Sequence, residues 1–410
     1  MKSFTLGMIC LCGLLSNYCR AAEHIVHPGE SINFAIAKAA AGDIIKVMAG
    51  TYAEKGILIN KPLILIGIGQ PVLEGEHKYE IITILSGHVI VQGFLLQHSG
   101  YSSMNDLAAI RLKNVAHVAI RNNRLINNFF GIYCQHADSS VIISNQISSI
   151  GESELGSGNG IHAWKSDRLV IANNNITGHR DGIYFEFVTN SVISQNNSSK
   201  NLRYGLHFMF SHSDSYVKNI FSNNGAGVAV MYSQHVLMVQ NEFRENWGSA
   251  SYGILMKDIS DSRAIGNLFF RNTAAVHLEG SNRILVSHNR FLQNGYAIIL
   301  QASCDNNQIN ENNFQGNSFD LATNGSLVLN HFANNYWDKY EGYDLNRNGT
   351  GDVPYRPMSI YSLIVERNAT AMMLFRSPIV SLLERAEKIL PGMTPENLKD
   401  DSPRMKPLPL

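Results

Sequence analysis

Charge is scarce in this 410-residue chain: 16% of its residues are Asp, Glu, Lys or Arg, and 33 basic side chains balance 33 acidic ones. With neither a charge excess nor a basic stripe, nucleic acid is not an expected partner. Proline is also sparse, at 11 residues, and of the five cysteines Cys10, Cys12 and Cys19 crowd into the first 22 positions. That leaves Cys134 and Cys304 for the rest of the chain, too few for a disulfide framework. Long apolar runs are missing after residue 22, where charge interrupts each run within about ten residues, so no bilayer-spanning helix is expected. Disorder is excluded as well, because 45% of the residues are apolar. What the chain has in abundance is asparagine, near one residue in ten, together with glycine. Such a composition suits short strands joined by tight corners.

Residues 1–22 carry Lys2, an apolar run from Phe4 to Leu15, and Ala21-Ala22 before Glu23. This is the pattern of a Sec-type signal peptide. Its loss removes Lys2 and Arg20, leaving 31 basic against 33 acidic residues, a mature charge of −2.

A repeat organises most of the remainder. The small residue that opens each short apolar run falls at Ala109, Gly131, Gly160, Gly182, Gly205, Gly227, Gly253, Ala275 and Ala297, in steps of 22 to 29 residues. Fourteen places after each of the first eight stands an asparagine: Asn123, Asn145, Asn174, Asn196, Asn219, Asn241, Asn267 and Asn289. The ninth slips by one, to Asn312. Alternating runs such as Gly182-Ile183-Tyr184-Phe185-Glu186 read as strands. Leucine-rich repeats share this period, but no Leu-x-x-Leu run or helical stretch follows the asparagine. The pattern therefore predicts an all-β fold, a right-handed parallel β-helix of about 22-residue coils, its asparagines stacked at one corner. The longer steps, 131–160 and 227–253, should extrude loops from one corner. Before the repeat, 42–52 and 63–67 read as first coils and 30–41 as a capping helix. The organisation expected is signal 1–22, β-helix 23–335, a calcium-loop candidate 336–360, and a C-terminal docking segment and helix 361–410, with a mobile charged tail from Thr394.

Strand alternation also assigns faces. One and three places after each opening residue the side chains are apolar and point in, as with Ile183/Phe185 and Val228/Val230. Two and four places after, they point out: Tyr133/Gln135, His162/Trp164, Tyr184/Glu186, His207/Met209, Ala229/Met231, Leu255/Lys257 and His277/Glu279. Met209 and Met231 fall in one column on adjacent turns, starting about 5 Å apart, and His207 lies on the same face. Two thioethers and an imidazole suit Cu(I), a soft cation. The plain alternative is a surface apolar pair covered by a loop or partner. His162 and His277 lie several turns away, and Glu186, Glu279, Lys257 and Asp181 give no carboxylate pair of the kind that glycosidic chemistry requires.

Beyond the repeat, Asp344, Asn346, Asn348, the Thr350 carbonyl and Asp352 alternate oxygen donors around Gly349, as in a calcium loop. Tyr355 stands where an EF-hand would carry its bidentate glutamate. A structural Ca²⁺ is the expectation. Residues 378–390 form an amphipathic helix between Ser377-Pro378 and Pro391-Gly392, and 371–375 is an apolar cluster that either caps the β-helix or docks on another protein.

The block Asn335-Tyr336-Trp337, the Asp-x-Asn-x-Asn-Gly loop, Asp352-Val353-Pro354-Tyr355-Arg356-Pro357 and Phe375-Arg376-Ser377-Pro378 resemble NosD, the family of periplasmic maturation proteins of nitrous oxide reductase. With the signal and the repeat, the likeness covers nearly the whole chain. It implies a non-enzymatic copper-site assembly factor that holds Cu(I) transiently. The implied partners are an ATP-binding-cassette transporter (membrane subunit and ATPase), a copper-chaperone lipoprotein and apo nitrous oxide reductase. The family supplies no ligand residues here; His207, Met209 and Met231 come from the geometry above. A carbohydrate-active β-helix (lyase, hydrolase or epimerase) is the competing class.

Overall fold

A computed structural model describes residues 21–102, 105–151, 153–325, 329–375, 377–389 and 398–410. Most of the proposed signal, and the Pro391-Gly392 stop, lie outside the described residues. The chain winds as a right-handed parallel β-helix, and among the described residues its three sheets hold 14, 13 and 12 strands. The first sheet runs from Glu23–Val26 to Leu329–Ala333, the second from Thr51–Tyr52 to Tyr336–Trp337, and the third from Ile57–Ile59 to Phe319–Ala322. Each strand pairs in parallel with the one a full turn away, as Leu237–Val239 does with Arg263–Ile265.

The interior follows the alternation. Ile183, Phe185, Leu206, Phe208, Val228, Val230, Ile254 and Met256 are all fully buried. Phe221, Phe243, Phe269, Phe291, Phe314 and Trp337 stack along the axis, with centroids 4.0 to 5.5 Å apart. The corner asparagines form the expected ladder. Asn241 donates its backbone N–H (2.9 Å) and its Nδ2 (3.1 Å) to Asn267 Oδ1, and a second Nδ2 bond to the Tyr216 carbonyl (2.9 Å). Every polar group of the buried corner thus has a partner.

A second ladder stands five places further on: Asn201, Asn224, Asn246, Asn272, Asn294 and Asn317 bond in the same way. The same spacing is present in the sequence, and reading only the first column misses it. At the third corner Ser140, Ser191, Asp214, Ser262, Asn307 and Asn330 accept the backbone N–H of the preceding turn. Glycine at the opening position lets adjacent turns approach closely: a Cβ on Gly205 would meet the Gly227 carbonyl at 2.7 Å. The two longer steps do leave from one corner, between the second and third sheets, at 149–160 and 245–251.

Helix α1 (Ile32–Lys38) starts at an Ser31 N-cap and buries Ile32 and Ile36 over the first coils. At the far end, α2 (Ile360–Arg367), a 3₁₀ turn (Ala369–Leu374) and α3 (Pro378–Ile389) follow the last coils. Tyr361, Val365 and Val380 pack on Phe319 of the third sheet, joined by Phe375. The expectation of a mobile tail fails over residues 398–410, where Leu398 and Asp400 are fully buried. Asp400 Oδ2 accepts from Asn335 N (3.0 Å), Asn335 Nδ2 (3.0 Å) and Trp337 Nε1 (3.1 Å). This is the ladder geometry continued by a residue sixty-five positions downstream. A charged, proline-bearing sequence hides that role, because the partner is defined only once the coil ends.

A face of sulfur, imidazole and aromatic rings

The third sheet presents its outer side as parallel columns. In one, Glu186, Met209, Met231, Lys257 and Glu279 follow each other in strict register. In the next, His162, Tyr184, His207, Ala229, Leu255 and His277 do the same. Met209 and Met231 are therefore neighbours on paired strands, both half-buried.

The inner of these columns is not the solvated face that alternation suggests. His207 is 4% exposed, and Ala229 is fully buried although both point outward. Neighbouring rings do the covering: Tyr184 lies 5.0 Å and Tyr204 4.8 Å from the His207 ring. A periodicity argument assigns a side, whereas burial depends on the bulk of adjacent columns. His207 Nδ1 sits 3.7 Å from Asp181 Oδ2 and 3.5 Å from Arg203 Nη2. Its Nε2 is buried and has no hydrogen-bond partner.

Asp181, read from sequence as an acid standing alone, is held in a fork. Arg203 donates Nε to Oδ1 at 2.9 Å and Nη2 to Oδ2 at 2.5 Å. Burial raises the Asp181 pKa, but the Arg203 and His207 contacts outweigh it and hold the carboxyl below its usual range. Tyr184 donates its hydroxyl to Met209 Sδ at 3.5 Å, and burial pushes that phenol up to about 12.

Of the other outward histidines, His162 is more engaged, whereas His277 keeps a buried Nδ1 without a hydrogen-bond partner. His162 Nδ1 pairs with Asn159 Nδ2 at 3.1 Å, and burial depresses the ring to about 3. His277 Nε2 meets Gln301 at 3.2 Å, and its neighbours Lys257 and Glu279 form an ion pair of 2.8 Å. Cys134 and Cys304 are free and buried; burial pushes the Cys134 thiol up to about 12. Among the described residues no three His, Cys, Asp or Glu side chains converge as a metal site. Soft-metal binding on this face would therefore have to use the thioethers.

The calcium-loop candidate curls on its own oxygens. Asp344 accepts from Asn348 N (3.1 Å) and Gly349 N (2.8 Å), Asn348 Oδ1 from Thr350 N (2.8 Å), and Asp352 Oδ2 from Leu345 N (2.7 Å). Gly349 has φ +84°, which opens the bend. The loop is tied to the tail through Gly351 N to Pro403 O (2.8 Å) and Met405 N to Gly349 O (3.1 Å).

Comparison with known proteins gives one family description, periplasmic copper-binding protein (NosD), matching residues 148–349. A protein of Stutzerimonas stutzeri named probable ABC transporter binding protein NosD is 25% identical over 382 residues, covering 88% of this chain and 86% of its own. The protein of that name from Pseudomonas aeruginosa is 27% identical over 387 residues, covering 87% of each. Among solved structures, a GH87 α-1,3-glucanase from Streptomyces thermodiastaticus superposes with a TM-score of 0.58 at 13% identity, over 75% of this chain and 65% of that one. That likeness shows the β-helix and carries no function.

Proposed function

We propose that this chain, a NosD-type protein by its likeness to the family and to both named relatives, receives Cu(I) at His207, Met209 and Met231 in the periplasm and hands it on. The observation that carries the site is the register pairing of Met209 with Met231 beside an imidazole whose Nε2 has no partner. In the tautomer that carries its proton on Nδ1 toward Asp181, in place of the one that accepts there from Arg203 Nη2, the ring would offer Nε2 as a ligand. A carboxylate behind a metal-binding histidine is a common arrangement. Three soft or borderline donors favour Cu(I) over harder cations. Few ligands at a half-buried position also keep the ion exchangeable, as a carrier requires.

The ABC transporter enters as partner through the names of the two relatives. The docking segment proposed for it, within 361–410, leaves Met373, Ile379 and Leu382 exposed beside a buried anchor at Val380. Release of copper to apo nitrous oxide reductase, after delivery by a copper-chaperone lipoprotein, is coupled in this reading to movement of that segment by the transporter. Asp344, Asn346, Asn348, the Thr350 carbonyl and Asp352 fit a structural Ca²⁺, since all five donors are hard oxygens on one tight loop. That ion would brace the tail against the last coil. The carbohydrate-active alternative draws little support from the face: Asp181 is bound to Arg203 and Glu279 to Lys257. Glu186 stands four turns from Glu279, about 19 Å at the strand spacing.

Anaerobic Cu(I) titration tests the site. The mature protein should bind one ion with Met209 and Met231 present, and Met209→Ala/Met231→Ala should lose it. Undiminished binding by the double variant removes the site.

A further inference from the structure

Phe187, Phe210 and Tyr232 occupy the same corner on three successive turns, one residue beyond Glu186, Met209 and Met231. Their rings stack nearly parallel, with centroids 5.3 and 5.0 Å apart and interplanar angles of 10° and 14°. All three stay substantially open to solvent, at 44%, 37% and 40% exposure. Each also adopts the left-handed backbone conformation, with φ of 54°, 50° and 53°. Among the described residues every other non-glycine residue with positive φ is polar. On other turns this corner is held by Asn114, His136, Lys165, Asp258 and Gly280, types that tolerate the conformation or cost little when exposed.

Three bulky aromatics thus sit where the backbone disfavours them and where water reaches them. Internal packing does not account for this, because the core has its own aromatic stack ending at Trp337. Strain combined with exposure at one place is a signature of function. The backbone fixes which place it is: Phe187 N donates to the Met209 carbonyl (3.1 Å) and Phe210 N to the Met231 carbonyl (3.2 Å). The aromatic wall therefore borders the thioether pair directly.

We infer that this wall is the docking surface for the protein that delivers Cu(I) to Met209 and Met231, an inference that rests on the copper site proposed above. Ligand exchange between two proteins brings the second protein's donor to within bonding distance of the same ion. Its surface must then lie over the residues flanking the sulfurs. Half-exposed, rigid rings are the side chains that anchor such contacts at small entropic cost. The partner's complementary chemistry is an apolar rim around its own surface copper ligands.

The test is the triple variant Phe187→Asn/Phe210→Asn/Tyr232→Asn, which places at each corner the residue already found at Asn114. Its melting temperature should equal or exceed that of the parent, because asparagine relieves the left-handed strain. Cu(I) affinity and the rate of copper removal by a small chelator should stay unchanged. Transfer from the Cu(I)-loaded soluble domain of the copper-chaperone lipoprotein should slow at least about tenfold, the loss of one or two aromatic anchors. Equal transfer rates for parent and variant overturn the docking surface. Should the parent bind no copper at Met209 and Met231, the copper site fails, and complex formation between the copper-free proteins decides the surface separately. Weaker association of the triple variant sustains it, and equal association overturns it.

Discussion

Asp400→Ala should unfasten the C-terminal end of the β-helix. In the folded chain this one carboxylate satisfies three donors on a fully buried corner: Asn335 N, Asn335 Nδ2 and Trp337 Nε1, at 3.0 to 3.1 Å. Its other oxygen accepts from Ser402 N at 3.0 Å. Alanine leaves the three inner donors without an acceptor, each costing roughly 1–3 kcal/mol when it stays buried. Water reaching the shortened side chain recovers part of that, so the expected loss is about 3–6 kcal/mol. In a solenoid the damage stays local, since each turn contacts only its neighbours. The assay is therefore hydrogen exchange at Asn335–Trp337 and 398–410. Denaturation followed by Trp337 fluorescence, in a Trp164→Phe/Trp247→Phe background, gives the free energy. Asp400→Asn is the control: it keeps an acceptor oxygen, as Asn335 offers one to Asn312 at 3.0 Å, and should lose no more than about 1 kcal/mol. Unchanged protection in Asp400→Ala, with a loss below that same ~1 kcal/mol, would refute the assignment of the tail as a cap.

Two further outcomes concern a buried acid and the calcium-loop candidate. Burial pushes the Asp214 carboxyl up to about 8, and its Oδ2 has no partner. The folded state then keeps a proton that the unfolded chain releases near its ordinary value of 3.8, so stability falls as pH rises between those two limits and levels off above them. Asp214→Asn, which places there the amide that Asn307 supplies in the same column four turns later, should flatten that decline and gain on the order of 2–4 kcal/mol at pH 7, read by urea denaturation across pH. A parent whose stability does not fall over this range contradicts the assignment. Chelation with EGTA, or Asp344→Ala/Asp352→Ala, should raise hydrogen exchange at 349–351 and 403–405 while leaving the central coils untouched. Identical exchange with and without Ca²⁺ argues against an ion in the loop.

The coil, its inward columns and its corner ladder are legible in the sequence because a parallel β-helix repeats one local environment. Each turn asks the same of Gly205 as of Gly227, and of Asn219 as of Asn241, so the demand appears as a period. The second ladder was equally available, at Asn201, Asn224 and Asn246, although Ile150 and His179 interrupt its column. The register pairing of Met209 with Met231 follows from that period too.

Tertiary structure alone decided what does not repeat. His207 is covered because Tyr184 and Tyr204 flank it, and Asp181 is neutralised because Arg203 arrives one turn later; both depend on side-chain bulk and reach between turns. The strain at Phe187, Phe210 and Tyr232 is a matter of backbone torsion, which residue identity does not display. Asp400 joins the ladder across sixty-five residues of intervening chain. A period encodes what each turn shares with the next, while the end of the rod and the chemistry of one patch are set by contacts that occur only once.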